Sequence, residues 1–200
     1  QIVRADGTLL GENLAISTVP GKQFVSSVTY NSNSNEYLIL WTDERALETH
    51  DGDIYGQRID ADGVAVGNEL AIANAPQWQR NAVAAYDSGH DEYLIVWWDG
   101  RGISTANDIY GQRLSASGVL LGSNLPISTA ASNQVYPNLI YRAADDLYAI
   151  VWQDWRNDDG TENNADIYGL LYSAERYCFY FPQCVKRYSD HLPAHHLPTP

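Results

Sequence analysis

Asp53-Ile54-Tyr55-Gly56-Gln57-Arg58 returns as Asp108-Ile109-Tyr110-Gly111-Gln112-Arg113 and, shortened, as Asp166-Ile167-Tyr168-Gly169. Counted from Asp53 to Asp108 to Asp166, the spacings are 55 and 58 residues. A matching segment precedes each copy: Glu36-Tyr37-Leu38-Ile39-Leu40-Trp41-Thr42-Asp43, Glu92-Tyr93-Leu94-Ile95-Val96-Trp97-Trp98-Asp99 and Asp146-Leu147-Tyr148-Ala149-Ile150-Val151-Trp152-Gln153-Asp154. Self-similarity at a fixed period governs the fold and is read before any single motif.

Each copy divides into four short strands, because β-branched and aromatic runs alternate with clusters of Gly, Asn, Asp and Ser. In the first full copy the pattern predicts strands at Ser26–Tyr30, Tyr37–Asp43, Asp53–Asp60 and Glu69–Ala73. The second is apolar on both faces, with Tyr37, Ile39 and Trp41 on one and Leu38 and Leu40 on the other, as in a strand sandwiched between sheets. The third alternates more clearly and is expected nearer an edge. Asp6-Gly7, Asp62-Gly63 and Ser117-Gly118 supply the left-handed backbone that a tight turn into the fourth strand needs. No segment carries the apolar stripe of a helix.

Sheets of four strands at this period are what a β-propeller requires. The pattern Trp-x-Asp-x-Arg followed by Asp-Ile-Tyr-Gly-Gln-Arg resembles the repeats of bacterial secreted β-propeller-like proteins, over residues 1 to about 173. The resemblance implies blades and secretion, and it is silent about activity. The predicted fold class is all-β, with three four-stranded antiparallel repeats as blades, at 1–56, 57–111 and 112–169. Residues 174–200, rich in Tyr, Pro and His, form a tail outside the repeat, expected to cover a blade edge. Gln1 aligns with Gln57 and Gln112, so residues 1–17 hold the end of a third strand and a fourth strand at Asn13–Ser17, while the last repeat lacks its own fourth strand after Ser173. The two ends complement each other, and a homodimer closing a six-bladed ring is expected, since rings have about four to eight blades.

At 200 residues with 44% hydrophobic and 12% aromatic content, the chain can bury a sizeable core. A net charge of −13 leaves no basic surface for a phosphate backbone, so no nucleic acid partner is expected. Apolar runs such as Tyr93 to Trp98 are far too short to span a bilayer as a helix, and no membrane insertion is expected. The sequence has no Met, so Gln1 is expected to follow a processing or excision site, with any signal peptide removed. Cysteine is absent from the repeats; Cys178 and Cys184 either bridge locally or remain thiols. Few lysines and abundant Tyr, Trp, Asn and Gly fit an extracellular or periplasmic setting.

The repeated polar set is Trp41, Trp97 and Trp152; Asp43, Asp99 and Asp154; Arg45, Arg101 and Arg156; and Asp53, Asp108 and Asp166. An Asp-x-Arg at the end of one strand, facing an Asp at the start of the next, can form a charge-assisted fork that pins the loop between them. The same set, once per blade, could instead form a multivalent binding site, in which Arg101 and Arg156 would orient the ligand. Unrepeated residues point to a site more directly. Trp78 stands where the other copies have Lys22 and Asn133, Trp98 where they have Thr42 and Gln153, and Trp155 where they have Glu44 and Gly100. Their rings, apolar in face and polar at the edge, suit a sugar; packing between blades or a subunit contact is the competing use.

The loop Asp158 to Asp166 is the longest insertion, and Asp158, Asp159 and Glu162 could hold Ca2+ there, without the spacing of an EF-hand. No other cofactor is expected. Zinc on Cys178, Cys184, His191, His195 and His196 would match no standard finger. Catalysis, if present, would fall to Glu44, Glu48, Asp51 and Glu162 with His50, as a glycoside hydrolase or lyase needing two carboxyl groups across a cleft. The leading expectation is a non-catalytic binding module for a glycan or a protein partner, with the enzyme second and an assembly role third.

Overall fold

The computed structural model describes residues 1–46, 51–102, 106–158 and 164–173. Among them the protein is all-β, without a helix, and its strands pair in antiparallel sheets. A short hairpin comes first, β1 (Ile2–Val3) with β2 (Leu9–Leu10). The first large sheet holds β3 (Gln23–Asn31), β4 (Glu36–Asp43), β5 (Asp53–Asp60) and β6 (Ala65–Ala73) in sequence order. The second holds β7 (Gln79–Asp87), β8 (Glu92–Asp99), β9 (Asp108–Ser115) and β10 (Leu120–Ser128). The third has β11 (Gln134–Arg142), β12 (Leu147–Asp154) and β13 (Asp166–Ser173).

The expected third strand, Asp53–Asp60, coincides with β5; the others extend beyond their predicted limits. Two expectations need correction. The third strand is interior in the first two sheets and lies at an edge only in the third. Asn13–Ser17 is not a strand, because its equivalents in β6 and β10 pair with third-strand residues for which the N-terminal hairpin has no counterpart.

The turns follow from backbone chemistry. Gly7, Gly63 and Gly118 take φ of 85°, 80° and 91° in the turns between third and fourth strands, a region that glycine enters at no steric cost. Asn35, Asp91 and Asp146 take φ of 57°, 55° and 54° ahead of the second strands, a conformation that Asn and Asp tolerate. Tyr30 donates its hydroxyl to Asn35 Oδ1, Tyr86 to Asp91 Oδ1 and Tyr141 to Asp146 Oδ1, which staples each hairpin. The glycine of Asp-Ile-Tyr-Gly sits hard against the second strand: a Cβ at Gly169 would stand 2.7 Å from the Ile150 carbonyl oxygen.

The sheets stack in sequence order. Leu38, Leu40 and Ile54 of the first press on Ala82, Tyr93, Ile95, Trp97 and Leu114 of the second. Leu94, Val96, Ile109 and Ile127, on the opposite face of the second, press on Tyr148, Ile150 and Trp152 of the third. This explains why β8 is apolar on both faces: both are covered. Each fully buried aliphatic or aromatic side chain contributes about 1.5–3 kcal/mol. Polar links cross the same boundaries, with Thr29 Oγ1 donating to the Ala84 carbonyl at 2.8 Å and Arg58 to the Ser117 carbonyl at 2.9 Å.

Candidate functional site

Trp41, Trp97 and Trp152 donate their indole N–H to Oδ2 of Asp43, Asp99 and Asp154 at 2.9, 2.7 and 2.8 Å. Arg45, Arg101 and Arg156 then grip the same carboxylates with Nε on Oδ1 and Nη2 on Oδ2, at 2.5–2.9 Å. Each guanidinium lies over a third-strand ring, Tyr55, Tyr110 or Tyr168, 4.0, 4.4 and 3.9 Å from its centroid. Burial alone would raise the Asp43 and Asp154 carboxyls, but the donors from Arg and Trp outweigh it and hold both below the usual range.

The partner of the fork differs from the expected one. Arginine takes the carboxylate two residues before it, whereas Asp53, Asp108 and Asp166 stand directly opposite Asp43, Asp99 and Asp154 in the strand register. The local chelate closes a minimal loop and uses both carboxylate oxygens. Asp166 accepts from Asn157 Nδ2 at 2.9 Å instead. Asp108 is pushed up, first by burial and then by the charge of Asp99. Arg101 and Arg156, considered above as ligand-orienting, are thus held inside these forks; Arg101 also donates to Asn124 Oδ1 at 2.9 Å.

The unrepeated residues converge elsewhere, at the loop end of the second sheet, where Arg80 reaches Glu44 of the first sheet and Trp98 packs on the core shared with the third. Trp78 lies one residue before β7, and Arg80 and Asn81 are the second and third residues of that strand, where a register shift after Arg80 and a left-handed Asn81, φ 54°, re-aim the side chains. Arg80 places its guanidinium 3.4 Å from the Trp78 ring centroid and 5.9 Å from that of Trp98. Its Nη2 stands 3.3 Å from Oε1 of Glu44, a buried carboxylate from the first sheet's loop. Trp98 donates its indole N–H to Asn81 Oδ1 at 3.2 Å. Gly52 packs against Trp78, and a Cβ there would come within 2.8 Å of the ring. Both indoles are half-buried.

Sequence reading singled out Trp78 and Trp98 but passed over Arg80 and Asn81. The signal was present: at the position of Arg80 the other copies carry Phe24 and Val135. Glu44, considered as a catalytic carboxylate, belongs to this cluster as an ion-pair partner. Trp155 is half-buried in the corresponding loop of the third sheet, its backbone N–H bonded to the Asn133 carbonyl at 2.9 Å. Asp51 is half-buried ahead of β5. Of the calcium candidates only Asp158 is described; Asp159 and Glu162, like Glu48, His50, Cys178, Cys184, His191, His195 and His196, lie outside the described residues.

A different group among the described residues brings metal-ligand types together: Asp87, His90 and Asp146 have ligand atoms within 4.8 Å of one another. His90 Nδ1 lies 2.7 Å from Asp87 Oδ2 and 3.7 Å from Asp146 Oδ1. Asp87 also accepts the N–H groups of Gly89 and His90, so these atoms already work as a turn cap and as a link from the second sheet to the third.

No family model and no curated protein matches the chain. Among solved structures it is similar to an endo-arabinase from Bacteroides thetaiotaomicron VPI-5482, at 16% identity and a TM-score of 0.48, over 80% of this chain and 58% of that one. The chain therefore spans less than two thirds of that structure's length.

Proposed function

We propose that the chain is a non-catalytic, extracytoplasmic binding module whose three sheets are blades of a β-propeller-type array, and that it holds a neutral glycan at Trp78, Arg80, Asn81 and Trp98. The observation that carries this reading is the convergence of residues that the repeat does not demand. Trp78, Arg80, Asn81, Trp98 and Glu44 come from two sheets and meet at one loop end. The part of the Trp98 indole left exposed can stack on the apolar face of a sugar ring, while guanidinium and amide groups orient its hydroxyls; Trp78, its ring covered by Arg80, backs the guanidinium. The net charge of −13 disfavours an acidic glycan.

Glu44 is buried and engaged by Arg80 Nη2 at 3.3 Å, so its place in this cluster is that of an ion-pair partner. Stacking on one ring contributes about 0.5–1.5 kcal/mol beyond burial, so affinity per site is weak. The test is binding of neutral oligosaccharides to the whole chain, read by tryptophan fluorescence after selection on a glycan array. Trp98→Ala weakens binding about fivefold, by that stacking energy, and Trp98→Phe retains most of it; circular dichroism checks that both variants fold. Absence of any glycan bound, or full affinity in Trp98→Ala, overturns the reading.

A further inference from the structure

The three sheets present two kinds of face. The face made by Leu38, Leu40 and Ile54 in the first sheet recurs as Leu94, Val96 and Ile109 in the second and as Ala149, Val151 and Ile167 in the third. In the first two sheets it is buried against the neighbour's Tyr-Ile-Trp face. In the third it is open: Ile167 is 70% exposed, Val151 44%, and Ile140 and Leu171 stand exposed beside them. At the other end of the stack, the first sheet's own Tyr-Ile-Trp face, with Tyr37 and the adjoining Val28 and Tyr30, has exposed residues where Tyr93, Ala84 and Tyr86 of the second sheet are packed. Each open face is the complement of the other, by the same pairing that the chain already makes twice.

The N-terminal segment marks where the missing sheet belongs. Ile2 pairs with Leu10 and Val3 with Leu9, the register of Arg58 with Val66 and Ile59 with Ala65. Leu14 lies against the turn glycine Gly63 as Leu70 of β6 lies against Gly118 of the second sheet. The hairpin and the segment after it thus stand beside the first sheet where the outer part of a preceding sheet would stand. Asn13-Leu14-Ala15-Ile16-Ser17 matches Asn124-Leu125-Pro126-Ile127-Ser128 except for Ala15 against Pro126, and the latter segment pairs with β9 through Gly111, Tyr110 and Ile109. The equivalent residues of β13, Ile167 to Gly169, have no fourth strand beside them among the described residues.

We propose that the slot between the N-terminal segment and the first sheet receives the third sheet of a second copy of this chain, with Asn13–Ser17 pairing on β13 of that copy. The contact is head to tail, so two copies related by a two-fold axis make it twice and close a ring of six sheets. Exposed apolar surface on both end faces is then buried, and the open edge of β13 is covered.

Light scattering on the whole chain is expected to give twice the 22.3 kDa chain mass. Ile167→Asp and Val28→Asp change opposite faces, and each alone is expected to give a folded chain of single mass. Mixed in equal amounts, the two variants regain one intact contact per pair, and the double mass returns at higher concentration. A single mass for the unaltered chain at all concentrations overturns the proposal. So does a dimer that withstands Val28→Asp, which would mean that the first sheet's face is not used. Near-ultraviolet circular dichroism matching that of the unaltered chain shows that the variants keep their packing; a variant that loses it is replaced by Ile140→Asp or Tyr37→Asp on the same face.

Discussion

Ile109 and Ile167 hold the same place in the third strands of the second and third sheets, yet Ile109 is fully buried and Ile167 is 70% exposed. Val96 and Val151 differ in the same way, at 0% and 44%. The residue type and the register with the second strand agree in both pairs; what the third sheet lacks among the described residues is a sheet against this face and a fourth strand beside β13. In a stacked repeat the stabilisation belongs to the boundary between units rather than to the unit. The second sheet therefore sets the stability of the described array, and the third sheet contributes through one face.

The largest expected effect breaks this pair apart. Ile109→Ala costs about 2–5 kcal/mol, as for a fully buried aliphatic side chain that leaves a cavity, whereas Ile167→Ala in an isolated chain stays within about 0.5 kcal/mol. Urea denaturation of both variants reads the difference. In the proposed dimer Ile167→Ala moves towards the larger value as concentration rises, which sharpens the comparison into a measure of the end face.

The forks come next. Arg101→Ala strips two side-chain donors from Asp99, which is fully buried, and is expected to cost about 1–3 kcal/mol. Arg45→Ala should behave alike, since Arg45 also bonds Glu69 on β6 of its own sheet. Arg156, which reaches Ser128 of the second sheet at 3.3 Å rather than a fourth strand of its own, is expected at the low end of that range. Equal thermal stability in all three variants and the unaltered chain would mean that these residues do not serve the scaffold.

The smallest effect concerns the link between the second and third sheets. His90 is raised by its hydrogen bond to Asp87 and then by the charges of Asp87, Asp146 and Glu92, against slight desolvation. Burial would raise Asp87, but hydrogen bonds from His90, Tyr141 and the Gly89 backbone hold it low. A raised histidine stabilises the fold fully below its unfolded value of about 6.5 and loses that contribution as pH rises through the folded value. A lowered carboxyl stabilises above its unfolded value of about 3.9 and loses its share as pH falls through the folded one. The link is strongest between those limits. The melting temperature of the unaltered chain is expected to fall more than that of His90→Gln as pH rises from 6 to 8.5; parallel curves would show that the pair does not hold the sheets together.

Much of the fold was legible because the repeat reports its own boundaries. The Asp-Ile-Tyr-Gly motif marks β5, β9 and β13, and the two-sided apolar run marks β4, β8 and β12. The first and fourth strands were harder to delimit, since β3 carries Ser26, Ser27 and Asn31 and β6 carries Asn68 and Glu69, residue types that resemble loop composition. Asn13–Ser17 reads as a strand because composition does not reveal whether a partner stands beside it. The site was half legible: an indole that one copy has and the others lack is visible in sequence, but the stacking of Arg80 on Trp78 and its approach to Glu44 depend on a bulge and on a neighbouring sheet. The fork was assigned to the facing aspartate because sequence gives strand order more readily than the reach of a side chain.

Every large sheet joins strands that are consecutive in the chain, and each sheet packs on the next. Hydrogen bonds therefore close over short loops, and the longest packing steps within the described array reach about one repeat along the sequence. Such low contact order makes formation fast, because little loop entropy is lost before each pairing is rewarded. Emerging from a ribosome, the first sheet can zip up before the second is complete and then serve as the surface on which the second condenses. The N-terminal hairpin is the exception: in the proposed dimer it waits for the third sheet of a second copy.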